Sequence, residues 1–411
     1  MTGRVCDLGS LMPVDEAIIR LLDQAPPPPL VQRISLDQAM GRVLAADIHS
    51  PVNLPAWDNS AMDGYALRAA DLPAEGGGLA MAGRIAAGDQ ASSPLLAQQT
   101  VQIFTGAPLP PGADTVVPQE RCRIDGERVW FPPVCVGDHV RQEGEEVRRG
   151  QLLLKAGKRL RAQEIGLLAG AGIARVEVYR PLQVCLLSSG NELREPGDVL
   201  APGQIYNSNR YCLAALLRGW GVEVHDYGVM ADELAASRHA LSLASSECDL
   251  LLSSGGVSVG EEDHLKQAIE ELGSVDFWRL AMQPGKPLAF GAVAGKPWIG
   301  MPGNPSAALI TALVVVRPFL LRAQGMTDVM PRPLAVPAGF DWLQRNKRRQ
   351  YLRAKLAPGA DGQMTVALHP QQSSAMLTAA CWADGLAVIE CEQQVRKHDN
   401  VMFLSFADLM Q

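Results

Sequence analysis

At 411 residues the chain is too long for one ordinary hydrophobic core, so roughly two to four domains are expected. Hydrophobic residues make up 47% and charged residues 20%, the balance of a soluble globular protein and not of a disordered one. The net charge of −7 and the lack of a Lys/Arg-rich block disfavour a general nucleic-acid binder, which needs a basic face.

The N-terminal segment MTGRVCDLGSLMPVDEAIIRLL has no basic start, apolar core and small-residue cleavage site, so no export signal is read and a cytoplasmic protein is expected. A helix is predicted from Val14 to Leu22, then a proline break at 26–29 and a short helix around Leu36–Gln38. From 51 to 139 Gly and Pro are frequent and apolar runs short, which marks a β-rich insertion. Within it Arg121–Phe131 reads as a hairpin turning at Asp125-Gly126, and Val101–Phe104 as a short strand. Residues 160–172 return to a helical pattern, so the segments flanking the insertion are expected to form one discontinuous unit.

From 180 to 323 apolar strand candidates at 182–187, 222–227, 249–253 and 297–301 alternate with helices near 208–219, 232–246, 263–272 and 306–323. That alternation predicts a mostly parallel sheet covered on both faces. Leu-Leu-Ser-Ser-Gly occurs at 186–190 and again at 251–255, each copy ending a strand. The most apolar stretch, 306–316, is too short to span a bilayer before Arg317-Pro318 and fits a buried helix, so no membrane partner is expected. Alternating segments at Tyr351–Leu356, Gln363–Leu368 and Leu386–Glu390 predict a small β C-terminal unit. The fold class is therefore multidomain α/β plus β. The expected division is 1–50 with 140–179 (linking, discontinuous, helical), 51–139 (inserted lid), 180–326 (α/β) and 327–411 (barrel-like, β). The eight cysteines show no paired spacing, so reduced buried thiols are expected, and neither they nor the scattered histidines draw a zinc site.

In open parallel sheets ligands sit beyond the carboxyl ends of the strands. Those ends carry Ser188-Ser189-Gly190-Asn191-Glu192, Gly228 to Asp232, Ser254-Gly255-Gly256-Val257-Ser258-Val259-Gly260 followed by Glu261-Glu262-Asp263, and Pro302-Gly303-Asn304-Pro305. Small turns before helices expose backbone N–H groups that bind phosphate or another oxyanion. Carboxylates beside phosphate call for a divalent cation between them, and Mg²⁺ binds through one or two carboxylates plus phosphate oxygens. Glu261 and Glu262 read as complements to a helix dipole; for Asp263 that role and metal binding stand level. Pro284-Gly285-Lys286-Pro287 presents a lysine on a stiff backbone, which favours an anion-binding Lys286 over a solvated one. The loops at 58–66 and 105–108 read as ordered functional loops, although Asx turns would explain either one.

Together these segments resemble the molybdopterin molybdenumtransferase family (MoeA-type), which includes the C-terminal domain of gephyrin. The text that carries the resemblance is DNSAMDGYA at 58–66, TGAPLPPGAD at 105–114, SSGNEL at 188–193, IYNSNR at 205–210, SSGGVSVGEEDH at 253–264, PGKPLAFG at 284–291 and GMPGNP at 300–305. The resemblance implies an elongated homodimer acting on adenylylated molybdopterin and molybdate, releasing AMP and molybdenum cofactor. It carries functional roles onto Asp63, Thr105, Glu192, Asp232, Asp263 and Lys286. It further implies substrate contacts at Ser254, Gly255, Gly256, Ser258, Gly260, Arg279, Gln283, Pro302, Gly303, Asn304, Pro305, Arg353 and Ser374. Mg²⁺ would sit on Glu192, Asp232 and Asp263, and Asp63 would arrive from the partner subunit's lid to manage protons or complete the metal site. A molybdopterin adenylyltransferase and recipient molybdoenzymes are implied protein contacts. The chain departs from the family at Asn191, Glu146, Arg279, Gln283 and Ser306-Ala307; only Gln283 removes a cation. An adenylyltransferase using ATP and a non-catalytic gephyrin-like scaffold are the competing readings.

Overall fold

A computed structural model describes residues 11–90, 93–231, 233–255, 264–359 and 362–411. At its centre lies a six-stranded sheet in the order Glu223–Met230, Gln183–Ser189, Leu250–Ser254, Lys296–Met301, Pro287–Val293, Gly273–Arg279. The first four strands run parallel, as their alternation with helices predicts. Both faces are apolar because successive residues point to opposite sides. Val184, Leu186, Leu250 and Leu252 face the long helix on one side. Cys185, Leu187, Leu251 and Trp298 pack with Leu241, Ala244, Leu265 and Ile269 of the helices Leu234–Glu247 and His264–Leu272 on the other.

The remaining two strands are joined to the sheet by antiparallel pairing, in a stretch to which the sequence reading assigns no element. Ala294 and Gly295 both lie at positive φ and close a two-residue hairpin between Val293 and Lys296. Because two reversals restore direction, Arg279 ends its strand at the same edge as Ser189, Met230, Ser254 and Met301, opposite Pro287. All the Gly-rich turns predicted to share one edge therefore do so wherever they are described.

The apolar stretch at 306–316 is buried as expected, and the helix predicted over 306–323 runs on through Arg317-Pro318, which end only the unbroken apolar run. Pro305–Thr311, a π-helical turn at Ala312–Val316 and Arg317–Ala323 form one continuous rod. By length and hydropathy this rod could cross a membrane; with 94% of it buried inside the protein, it is the core helix. Val14, Ala17, Ile18 and Leu21, at helical spacing on Val14–Asp23, pack into the same core.

Two antiparallel pairings join the segments on either side of the insertion: Val31–Ser35 with Arg175–Tyr179, and Ile48–His49 with Leu152–Leu154. They enclose a small core of Ala39, Leu44, Leu160, Leu168, Val176 and Val178. The insertion itself holds a six-stranded sheet with apolar clusters on both sides. Its hairpin turns one residue later than predicted: Asp125 pairs with Arg128, leaving Gly126-Glu127 as the loop with Gly126 at positive φ. The C-terminal unit is not purely β, since it also carries the helices Leu377–Trp382 and Phe406–Leu409. Its sheet takes in Met282–Gln283 as a strand parallel to Arg349–Pro358, which joins it to the central unit. Of the seven described cysteines only Cys185 and Cys248 are fully buried; Cys135, Cys381 and Cys391 are exposed, so the expectation of buried thiols holds only for the pair on the central sheet.

Candidate functional site

The twin Leu-Leu-Ser-Ser-Gly copies lie side by side, with Leu187 opposite Ser253 and Ser188 opposite Ser254. Their turns need glycine. Gly255 sits at φ +87°, and a Cβ there would lie 2.6 Å from the Ser189 carbonyl oxygen. Gly255 also donates its N–H to the Met301 carbonyl, tying the turn to the neighbouring strand end. A single buried amide completes the join: Asn209 Nδ2 donates to Ser254 Oγ at 2.8 Å and to the Gly303 carbonyl at 2.7 Å. Asn209 belongs to the IYNSNR segment, which had pointed only to family resemblance; its role is to staple two ligand loops together.

Between this edge and the C-terminal sheet opens a cleft of about 500 Å³. Gln283 to Pro287 form one wall, Pro302, Gly303, Asn304 and Ala307 a second, and Arg348 with Gln372, Ser373 and Ser374 the third. Among the described residues Lys286 and Arg348 are its only charged lining residues, and no described carboxylate lines it. Neither cation forms an ion pair among the described residues. Two unneutralised cations surrounded by hydroxyl and amide donors suit an oxyanion.

The third wall is built from backbone. The Ser374 carbonyl accepts N–H groups from Ser306 and Ala307, so the first turn of the Pro305 helix is already capped, and Asn304 Nδ2 reaches Ser374 Oγ at 3.3 Å. Arg353, predicted to contact substrate, does not line the cleft. It is fully buried, donates Nη2 to the Ser373 carbonyl at 3.0 Å, and leaves Nε and Nη1 without partners. Burial pulls its guanidinium down to about 10, so it stays charged at neutral pH. Gln372 braces the same loop by exchanging hydrogen bonds with the Arg353 backbone.

The other predicted residues fall elsewhere. Glu192 is exposed just beyond the Gln183–Ser189 strand, and Arg279 is exposed at the end of its own strand. Pro305 is the first residue of the core helix. Asp63 and Thr105 stand together in the insertion and not in the cleft: the Thr105 N–H and hydroxyl both donate to Asp63 Oδ1 at 2.7 Å. Those bonds hold the Asp63 carboxyl below the usual aspartate range, so at neutral pH it is an acceptor or a ligand and not a proton donor. Asp232, Gly256, Ser258, Gly260 and Asp263 lie outside the described residues. Arg348, Gln372 and Ser373 were missed, although they lie close to the expected Arg353 and Ser374, in the segments RRQYLRA at 348–354 and QQSSAML at 371–377.

A parallel-sheet edge ending in glycine turns, facing a cationic cleft closed by a second sheet, is the arrangement of an α/β protein able to take an anionic small molecule at its strand ends. Comparison with known proteins is consistent along the chain. Residues 12–172 match the MoeA N-terminal region (domain I and II), 185–322 the "Probable molybdopterin binding domain" and 335–406 the MoeA C-terminal region (domain IV). A molybdopterin molybdenumtransferase of Haemophilus influenzae is 36% identical over 386 residues, covering 93% of this chain and 95% of that one. One from Nostoc is 38% identical over 302 residues, 71% of this chain and 69% of its own. The crystal structure of a molybdopterin biosynthesis MoeA protein from Pyrococcus horikoshii superposes with a TM-score of 0.75 at 30% identity, over 97% of this chain and 99% of that one. The chain belongs to the molybdopterin molybdenumtransferase (MoeA) family.

Proposed function

We propose that this chain is the transferase that inserts molybdenum from molybdate into adenylylated molybdopterin, releasing AMP. The observation that carries the reading is the cleft at the shared strand edge, lined among the described residues by the cations Lys286 and Arg348 and by no carboxylate. A tetrahedral oxyanion such as molybdate is held there by charge and by the hydroxyls of Ser373 and Ser374. The glycine turn after Ser189 lies farther along the same edge, where its N–H groups receive the phosphates of the adenylylated pterin. Lys286 stands on the cleft side, so its charge serves both anions.

The donor set is compatible with Mg²⁺. Among the described residues no group of three potential ligands occurs, yet Glu192 is an exposed carboxylate at this edge with no cationic partner. One or two carboxylates suffice when substrate phosphates supply the remaining oxygens, and Glu192, with Asp232 and Asp263, would hold the ion. When bound, such an ion offsets charge on the phosphoanhydride. The chain's own residues bind and orient the two anions, and Asp63, ionised beside Thr105, completes the site from the lid of a partner subunit. The working form in this reading is a cytoplasmic homodimer of the divided units 1–50 with 140–179, 51–139, 180–326 and 327–411. It receives substrate from an adenylyltransferase and passes product to molybdoenzymes.

The test is to mix purified protein with adenylylated molybdopterin and Mg²⁺ and follow nucleotide by mass spectrometry. AMP release that depends on added molybdate supports the reading. Pyrophosphate release from ATP with unadenylylated pterin would replace it by the adenylyltransferase.

A further inference from the structure

We propose that Arg348, held by Gln283 and Asn346, is the cleft's second anion-binding cation and sets its affinity for the tetrahedral oxyanion, an inference that rests on the molybdenum-transfer reading above. Three adjacent features separate Arg348 from the other arginines of this segment. Its neighbour Arg349 is consumed, with both Nη atoms on the Asp15 carboxylate and Nε on Glu390. Arg353 is sealed behind the Ser373 loop. Arg348 alone of the three faces the cleft, and no carboxylate among the described residues neutralises it.

A flexible arginine with no ion-pair partner would lose much of its binding strength to conformational entropy. Here it is held. Gln283 Oε1 accepts from Arg348 Nη2 at 3.0 Å and from Asn346 Nδ2 at 2.7 Å, while Asn346 Oδ1 accepts the Arg348 backbone N–H at 2.9 Å. Gln283 is itself anchored, because Met282–Gln283 pairs as a strand with Arg349 and Gln350. The acceptor is neutral, so it orients the guanidinium without cancelling its charge; a carboxylate at 283 would cancel it. Gln283 and Asn346 are thus positioning residues, and Arg348 with Lys286 forms a two-cation receptor whose lining also carries the Ser373 and Ser374 hydroxyls.

The test reads AMP release against molybdate concentration at saturating adenylylated molybdopterin. Arg348→Gln should raise the molybdate KM about tenfold or more, with kcat and the KM for the pterin substrate within about twofold. Gln283→Leu keeps the cation and removes its acceptor, and should raise the molybdate KM about three- to fivefold. Adding Gln283→Lys to Arg348→Gln returns a cation to the cleft from the position that had held the arginine and should recover most of the loss, which a purely structural role would not permit. An unchanged molybdate KM in Arg348→Gln, an equal rise for both substrates, or no recovery in the double variant would overturn the proposal. If the wild type releases no AMP on adding molybdate, the activity reading fails instead. Calorimetric binding of molybdate alone to wild type and Arg348→Gln then still decides the role of the arginine: equal affinity rejects it, and a tenfold loss upholds it.

Discussion

Asn209 shows how little side chain is needed to hold a ligand edge together. Its amide bridges Ser254 and Gly303, two strand ends that the sequence separates by 49 residues if counted from the donors' targets and that only the sheet brings near. Replacing it by Ala strands the buried Ser254 hydroxyl and frees the part-buried Gly303 carbonyl, so a stability loss of about 1–2 kcal/mol is expected, with a larger fall in kcat/KM than in fold content. Urea denaturation and steady-state rates check this together; a variant with wild-type kinetics would refute the staple. Glu164 makes a second residue-scale case. Hydrogen bonds from the Arg161 guanidinium and backbone, with Lys158 nearby, hold its carboxyl down at about 2 against an ordinary 4.5. A depressed carboxylate stabilises the fold above its unfolded value, and that stability is lost as pH falls from about 4.5 towards 2. Arg161 and Lys158 are about half exposed, so screening limits the contribution to about 1 kcal/mol. Glu164→Gln should flatten the acid limb of the denaturation profile by that amount. At this scale Lys286 was legible because prolines flank it. Arg348 was not: it shares RRQYLRA with Arg349 and Arg353, and which of the three meets the cleft depends on Asp15, Glu390 and the Ser373 loop.

Among the elements, the four parallel strands were readable because burial on both faces leaves unbroken apolar runs. The antiparallel pair escaped notice, since Pro287 opens one strand and the PGKP turn looks like loop from its composition. The core helix passes Pro318 for a local reason. A proline clashes with the carbonyl four residues back, and here that carbonyl, on Val314, lies in the π-helical turn, where the tight i→i−4 spacing is already relaxed. Arg317 beside it is buried and spends its guanidinium on the carbonyls of Val329, Asp408 and Gln411. The turn at Gly285 is the sharpest test at this scale. It lies at φ +105°, and a Cβ would sit 2.3 Å from Thr311 Oγ1 on the core helix. Gly285→Ala should therefore cost about 2 kcal/mol or more and raise the molybdate KM by displacing Lys286; thermal melting and kinetics would register both. An unperturbed melt would show that the turn tolerates the clash.

For the whole molecule, the oligomer decides how the Asp63–Thr105 pair of the insertion meets the cleft. Asp63 and Thr105 are bonded to each other and line no part of the 500 Å³ cleft. If the lid serves the partner's site, chains carrying Asp63→Asn and chains carrying Lys286→Met, each inactive alone, should complement when mixed. Random pairing makes half the dimers mixed, each with one intact composite site, so about a quarter of wild-type activity should return. Absence of any recovery, with mixed dimers verified by native mass spectrometry, would place lid and cleft of one site in one chain.

Local chemistry by itself determined the α/β alternation, the β-rich insertion between two halves of a linking unit, the glycine turns at strand ends and the stiffened Lys286, because periodicity, Gly and Pro act within a few residues of themselves. Tertiary structure decided the rest. It chose which arginine reaches the cleft, closed the Ser374 carbonyl over the core helix, and set Met282–Gln283 into the C-terminal sheet. Each of these depends on groups tens to hundreds of residues apart, and a contact of that range leaves no periodic trace in the chain that makes it.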